Sequence, residues 1–450
     1  MLTREDNELV TRVGRGTPLG TLMREYWLPF LLAEELPESD SEPLRIRLLG
    51  EDLIAFRTSD RAVGLLGDHC PHRGASLFFG RNEENGLRCV YHGWKFDVHG
   101  ACVDMPNEPA ESNFKGKVHH VAYPCVERNG IVWTYMGPSS PPPALPELEW
   151  NMVPASHTYV SKRVAAANWL QSLEGAIDTS HSNFLHSALK SPGQGGTSVF
   201  AGPIPGAQRG MQLSAVDSRP RFETLNVEAG VLIAACRQTD EGSYWRVNNF
   251  IMPFYTQFPP RGVNPPSNGH AWVPIDDEHT LVLHYNYHPT RPLTAEELDF
   301  YRHGKDGIEA FHPRIDGFLP ATGQAYGAWK PIIRKENDYL LDYEYQRTRS
   351  FCGIKAGWAQ DSAVQEGMGA IQDRTEEHLV SSDVGIIGTR RFLLDSVKAH
   401  GDGSAAAPGV TDAAAFALRP ASFLLTKDAD IWPVAMSEIT TRPGQPLTVV

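Results

Sequence analysis

Residues 70–96 read C-P-H-R-G-A-S-L-F-F-G-R-N-E-E-N-G-L-R-C-V-Y-H-G-W-K-F. Two cysteine–histidine pairs stand in this stretch, Cys70 with His72 and Cys89 with His92. Thiolates and imidazoles together select a soft or borderline metal centre. A Cys2His2 set also binds zinc, but zinc fingers place two Cys together and then two His. Here each pair is mixed. Pro71, Gly74 and Gly93 fit tight loops whose backbone N–H groups turn toward a bound group. Trp94 reads either as packing against that group or as a core tryptophan.

Mixed pairs suit a Rieske [2Fe–2S] cluster, in which two Cys hold one iron and two His the other. Each loop then gives one ligand to each iron. In the cytochrome bc type an extra Cys on each loop forms a disulfide over the cluster. The corresponding positions here are Ala75 and Tyr91. Without that disulfide the potential is expected at the low end of the Rieske range, about −150 to +300 mV. That end suits delivery of electrons to an oxygen-activating iron.

A second constellation, D-T-S-H-S-N-F-L-H, occupies 178–186. Asp178 and His181 are three apart and share a helical face. His181 and His186 are five apart, about 140° around a regular helix. Convergence on one metal therefore requires a π-bulge or a helix break. Non-heme Fe(II) sites that activate O2 take two His and one carboxylate and keep positions open. Asp361, in W-A-Q-D-S-A-V-Q-E-G-M-G, is the favoured carboxylate. Asp373, Asp383 and Glu366 are rivals, and Asp373 and Asp383 read more simply as helix-surface charges.

The chain has 450 residues, more than one core usually serves, so two domains are expected. An apolar fraction of 41% is globular. A net charge of −13 argues against nucleic acid as a partner. The first residues show no apolar signal region, and no apolar run is long enough to span a bilayer. Cys102, Cys125, Cys236 and Cys352 read as small buried hydrophobes rather than a disulfide framework, which points to a reducing cytoplasm.

Residues 1–26 carry a helical pattern, 44–66 read as β-hairpins, and the β texture continues through 118–135. G-P-S-S-P-P-P-A-L-P at 137–146 reads as a linker. Beyond it, 168–187 is helix-like, 187–225 is a Gly/Pro/Ser-rich surface excursion, and strands follow at 229–238, 244–256 and 280–288. A second long helical pattern covers 359–399, and 401–409 is loop. The predicted division is a helical segment at 1–26, a metal-cluster domain at 27–140 and a catalytic domain at 147–450.

These motifs, with Q-D-S-A-V-Q-E-G-M-G-A-I-Q-D-R-T-E-E-H-L and N-D-Y-L-L-D-Y-E-Y-Q-R, resemble the oxygenase component of Rieske non-heme iron oxygenases, in the phthalate dioxygenase-like branch. The resemblance implies an α+β fold: an all-β Rieske domain, then an α+β catalytic domain with a curved antiparallel sheet of helix-grip type. It implies that Cys70, Cys89, His72 and His92 hold the cluster, and that His181, His186 and Asp361 hold one mononuclear Fe(II). Asp178 matches the family's bridging Asp, which links an iron ligand to a cluster histidine of the neighbouring subunit. A homotrimer or a dimer of trimers is implied, since electrons cross between subunits.

The implied reaction uses O2 and electrons passed from NAD(P)H by a flavin/iron–sulfur reductase to oxidise a small aromatic substrate. For an aromatic carboxylate, as in phthalate-like cis-dihydroxylation, the arginine fork gives bidentate recognition. Arg246, Arg237 and Arg209 are the candidates, each with a plain ion-pair reading beside it. The alternatives are an O-demethylating monooxygenase of methoxylated aromatic acids and, in other classes, a Rieske electron-transfer protein without oxygenase activity or a structural zinc protein. Placement of the ring, rather than the triad, chooses among the oxygenase outcomes.

Overall fold

The computed structural model describes residues 1–191, 194–198, 207–262, 264–305, 309 and 311–440. The chain opens with α1 (Arg4–Thr11) and α2 (Pro18–Arg24). Thr3 caps the first by accepting from Asp6 N–H, and Thr17 caps the second by accepting from Gly20 N–H.

Short strands then follow: β1 (Trp27–Leu32), β2 (Leu44–Leu48), β3 (Glu51–Arg57), β4 (Val63–Gly67), β5 (Arg81–Glu83), β6 (Gly86–Arg88), β7 (Lys95–Phe96), β8 (Cys102–Asp104), β9 (Ala122–Tyr123), β10 (Cys125–Arg128) and β11 (Ile131–Tyr135). They pair antiparallel in three sheets, ordered β1-β11-β10, β2-β3-β4-β9 and β5-β6-β7-β8. The hairpin expected at 44–66 is there. Leu49 and Gly50 turn it at φ 46° and 80°, the two positive values that the right-handed strand twist favours. A separate small core of Ile54, Phe56, Leu66, Leu77, Leu87 and Phe96 lies beneath the two cysteine loops.

After the 137–146 stretch come α3 (Glu149–Met152), β12 (Thr158–Ala165), α4 (Trp169–Ile177), the hairpin β13 (Ser187–Ser191) and β14 (Gln194–Ser198), and α5 (Ala207–Val216). Next are β15 (Arg221–Val227), β16 (Gly230–Thr239), β17 (Gly242–Ile251), β18 (Tyr255–Phe258), β19 (Ser267–Pro274) and β20 (Thr280–Tyr287). The chain ends its described part with α6 (Ala295–His303), α7 (Tyr343–Thr348), α8 (Gly357–Gly367), α9 (Val384–Gly401), β21 (Ala421–Leu425) and α10 (Ile431–Ile439).

One antiparallel sheet dominates, ordered β12-β20-β19-β18-β17-β16-β15. One edge of β17 is shared: residues 243–247 pair with β21, and 249–251 with β18. Every residue of β17 and β20 is buried, so both faces of the sheet are covered. On one face Trp150 stacks on Tyr285 (4.5 Å between ring centroids) and on Trp133 of β11 (5.8 Å), which welds the N-terminal sheets to the large one. On the other face lie α4, α8 and α9. There Phe250 meets Phe392, and Gly385 and Gly388 let α9 close onto Ile233 and Thr224.

Four expectations need correction. The strand read over 244–256 is two strands, β17 and β18, separated by a turn at 252–254. The helix read over 168–187 stops at Ile177, because Asp178 takes an extended conformation (φ −78°, ψ 112°). The helix read over 359–399 is two helices, α8 and α9. Gly369, at φ 95°, stops the first, and Asp373 and Asp383 accept from the backbone N–H groups of Thr375 and Val380 in the turns between them. The excursion at 187–225 contains a hairpin, a helix and the first residues of β15; residues 192, 193 and 199–206 of it lie outside the described residues. Among the described residues no helix is long and apolar enough to cross a membrane.

Candidate metal centres and catalytic site

The two cysteine loops are built as near copies. Cys70 N–H donates to Ala75 O and Gly74 N–H to Cys70 O, at 2.9 and 2.8 Å. Cys89 N–H donates to Trp94 O and Gly93 N–H to Cys89 O, at 2.8 and 2.9 Å. Both closures need a left-handed glycine, and Gly74 and Gly93 sit at φ 74° and 78°. Cys70 and Cys89 are buried, whereas His72 and His92 stand half-buried at the tip with ring centroids 4.4 Å apart. Trp94 stacks on His72 (4.4 Å, 9°) and donates to Asn107 Oδ1 (2.8 Å), so it does pack against a candidate ligand. Burial pushes the Cys70 thiol up to about 11, so a thiolate there calls for a cationic centre. The donor set, two thiols inside and two imidazoles outside, fits a Rieske cluster. All six cysteines are free thiols.

The break at Asp178 starts a tight turn that carries His181 and His186 onto one point. Their Nε2 atoms are 3.1 Å apart, and Asp361 Oδ1 lies 3.6 Å from the first and 3.2 Å from the second. Among the described residues this is the group of three metal-ligating side chains whose donor atoms converge within 4.8 Å. Each imidazole is held from behind. His181 Nδ1 faces Asp178 Oδ2 at 3.5 Å, and His186 Nδ1 meets Gln360 Oε1 at 2.7 Å. Gln360 is itself fixed by donating to Ile354 O (2.6 Å). A back-side acceptor keeps the proton on Nδ1 and turns the Nε2 lone pair inward, the arrangement of a histidine metal ligand. Asp361 is half-buried. Burial works against its charge, but His186, His181 and Arg163 outweigh that and hold it below the ordinary carboxylate value.

The rivals to Asp361 are engaged elsewhere. Asp373 and Asp383 are in the turns described above. Glu366 accepts from Tyr339 Oη (2.5 Å) and Ala166 N–H (3.2 Å). Gln360 was not anticipated; a glutamine beside a candidate ligand carries no signal of its own.

The three arginines separate. Arg209 is exposed on α5 and paired with Glu241 at 2.6 Å. Arg237 and Arg246 are buried on one face of the sheet, since Arg237 pairs in register with Tyr244 and Arg246 is two residues further. Arg237 Nη2 donates to Thr179 O (3.3 Å), next to the histidine turn, and its Nε and Nη1 are buried without a partner among the described residues. Arg246 donates to Pro259 O (2.6 Å) and reaches Tyr244 Oη (3.5 Å). Arg261, not anticipated from the sequence, joins them. Among the described residues none of Arg237, Arg246 and Arg261 forms an ion pair with a carboxylate. Burial and then the Arg246 charge push Arg237 down to about 10 and lower Arg261 as well. Burial alone would raise the Tyr244 phenol; Arg246 and Arg261 outweigh it and lower it. The cluster concentrates positive charge on one face of the sheet.

Residues 26–123 match the family described as Rieske [2Fe-2S] domain, and residues 134–438 the one described as LigXa C-terminal domain like. The 3-chlorobenzoate-3,4-dioxygenase oxygenase subunit of Comamonas testosteroni is 38% identical, over 97% of this chain and 98% of that one. The phthalate 4,5-dioxygenase oxygenase subunit of Pseudomonas putida is 35% identical, over 98% and 99%. The chain belongs to the Rieske oxygenase alpha subunits. Among solved structures, NdmA of Pseudomonas putida CBB5 with caffeine superimposes with a TM-score of 0.57 at 18% identity, covering 92% of this chain and 100% of that one, which supports the fold alone. The Rieske oxygenase is thus an oxidoreductase with a [2Fe–2S] cluster and a mononuclear iron. It is the oxygenase component of an aromatic ring-hydroxylating or demethylating system, and such components work with ferredoxin or reductase partners.

Proposed function

We propose that this Rieske oxygenase dihydroxylates an aromatic carboxylate of the phthalate type, held by Arg246 with Arg237 and Arg261. The observation that carries the reading is the ion-pair-free arginine cluster beside the histidine turn. A buried charge without a counter-charge is costly, and a substrate carboxylate supplies that counter-charge with bidentate geometry. The arginines then fix the ring's orientation, and orientation decides which carbons are presented to the metal.

In this reading Cys70 and Cys89 hold one cluster iron and His72 and His92 the other. His181, His186 and Asp361 hold the mononuclear iron, which when bound supplies open positions for O2 and accepts relayed electrons. Asp178 orients His181 and reaches a cluster histidine of a neighbouring subunit in a homotrimer or a dimer of trimers. Two exposed apolar patches support such packing: Val90 and Tyr91 at the cluster tip, and Phe184 against Phe351 beside the turn that follows Asp178. An NAD(P)H-dependent flavin/iron–sulfur reductase supplies the electrons. The free cysteines fit a reducing cytoplasm.

The test is a product screen with a surrogate reductase on phthalate, chlorobenzoates and their methyl esters. Acids are expected as substrates and esters not, and Arg246→Met should raise KM for the acids about tenfold or more. Esters turned over as well as the acids would remove the reading.

A further inference from the structure

The sheet face that carries Arg246 also carries a polar pair used by neither the metal triad nor the arginines. His284 on β20 and His270 on β19 stand opposite each other in register, with ring centroids 4.3 Å apart. Both are more than nine-tenths buried, at 3% and 8% exposure. Neither ring nitrogen of His284, nor Nδ1 of His270, meets a hydrogen-bond partner among the described residues.

The neighbouring His312 is different. Its Nδ1 meets Ser161 Oγ and its Nε2 meets Asn286 Oδ1, both at 2.6 Å, so it is engaged in holding strands together. Asn286 donates in turn to Tyr301 Oη (3.2 Å); its amide also faces His284 and offsets part of the effect of burial there, without reaching hydrogen-bond geometry to either ring nitrogen. Burial drives His284 down to about 3, so at working pH it is a neutral imidazole with one N–H donor and one acceptor. Arg163, on the adjacent β12, faces the carboxylates of Glu366 and Asp361, which offset its charge.

The pair lies close to the reaction centre. His284 stacks on Phe311 (5.7 Å, 17°), and Phe311 meets the His186 ring edge-on (6.0 Å, 90°). Phe258 packs on both Phe311 and His270, and the next residue, Pro259, accepts the hydrogen bond from Arg246. One continuous wall therefore runs from the arginines, past the aromatic rings that touch the iron ligand, to the histidines.

We propose that His284, with His270 beside it, is the second anchor of the substrate and binds an uncharged oxygen substituent, a phenolic hydroxyl or an ether oxygen, on the ring whose carboxylate Arg246 holds. The inference rests on the carboxylate reading above. A neutral imidazole both donates and accepts, which matches a hydroxyl. A further carboxylate at this end would face Asp361 and would compete with Asp361 and Glu366 for Arg163, whose Nη1 is buried without a hydrogen-bond partner among the described residues. A buried polar group left without a partner costs about 1–3 kcal/mol, so a ligand that satisfies it gains selectivity over one that does not.

The test is equilibrium binding of phthalate and 4-hydroxyphthalate to the metal-loaded oxygenase by calorimetry. The wild type should prefer the hydroxylated acid by about tenfold. His284→Phe keeps a flat ring without the polar atoms and should bring the ratio to within about twofold of unity, and His284→Asn should leave an intermediate ratio. Cluster absorption and iron content identify which variants fold, and an unchanged ratio in any that does overturns the inference. So does a wild type that binds the two acids equally. Arg246→Met should weaken both acids in parallel and keep their ratio. If it weakens neither, or if neither acid binds the wild type, the carboxylate reading itself fails.

Discussion

Gln360 does for His186 what Asp178 does for His181: each accepts from Nδ1 and leaves Nε2 to the metal. Gln360→Leu should lower iron affinity about 10- to 100-fold, the usual effect of losing such a support. Iron content after dialysis against a weak chelator measures it, and the visible absorption of the cluster should be unchanged. Asp178→Asn should retain both metal centres and sharply reduce turnover, because the amide can still touch His181 while the negative bridge is lost. Iron analysis alongside a turnover assay checks it, and wild-type turnover would reassign the residue. At this scale the sequence was legible where chemistry is rare. Cys, His and Asp at ligand spacing stand out against the rest of the chain. Gln360 and Arg261 do not, because glutamine and arginine are common and only the folded chain shows what they face. Arg209 shows the converse: its residue type made it a candidate, but it is exposed and paired with Glu241.

The twin loops offer a controlled comparison. A Cβ at Gly93 would come within 2.6 Å of Pro106 Cγ, whereas one at Gly74 meets nothing within 4 Å. Both positions are left-handed, so both Gly→Ala variants carry a backbone strain of about 1–2 kcal/mol. Gly93→Ala adds a steric clash and should lose most of the cluster, whereas Gly74→Ala should keep much of it; cluster absorbance per chain decides. Equal loss in both would mean that strain alone governs the loops. The loops and the hairpins were readable from local turn chemistry. The long helices were not, because their stops lie in contacts distant in sequence: α4 ends where the histidines must converge, and α8 ends just before Gly369 so that Arg374 can return to Glu174. The strand β19, S-N-G-H-A-W-V-P, was missed for another reason. One of its faces carries Asn268 and His270, so the apolar alternation that announces a strand is interrupted by polar residues.

At the scale of the molecule, one buried carboxylate ties three distant parts of the chain together. Glu174, on α4 just ahead of the histidine turn, pairs with Arg374 at 3.0 Å and Arg390 at 2.6 Å. Arg374 also donates to Asn7 of α1, and Arg390 to Glu377. Glu174→Gln would leave two buried guanidiniums short of a counter-charge, at a cost of about 3–5 kcal/mol. The thermal unfolding midpoint should fall clearly, with iron lost from the histidine turn before the cluster is lost; an unchanged midpoint would show that the network is not needed. The fold class was legible through the metal motifs, but the stacking of Trp133, Trp150 and Tyr285 that packs the N-terminal sheets on the large one was not, since nothing local marks which tryptophans meet. The split edge of β17 has a further meaning. The strand that carries Arg246 has residues 243–247 completed only by Ala421–Leu425. During synthesis nearly the whole polypeptide must leave the ribosome before that edge is covered. Until then the half-made pocket exposes an unpaired strand, a period in which a nascent chain is open to capture by chaperones or by its neighbours.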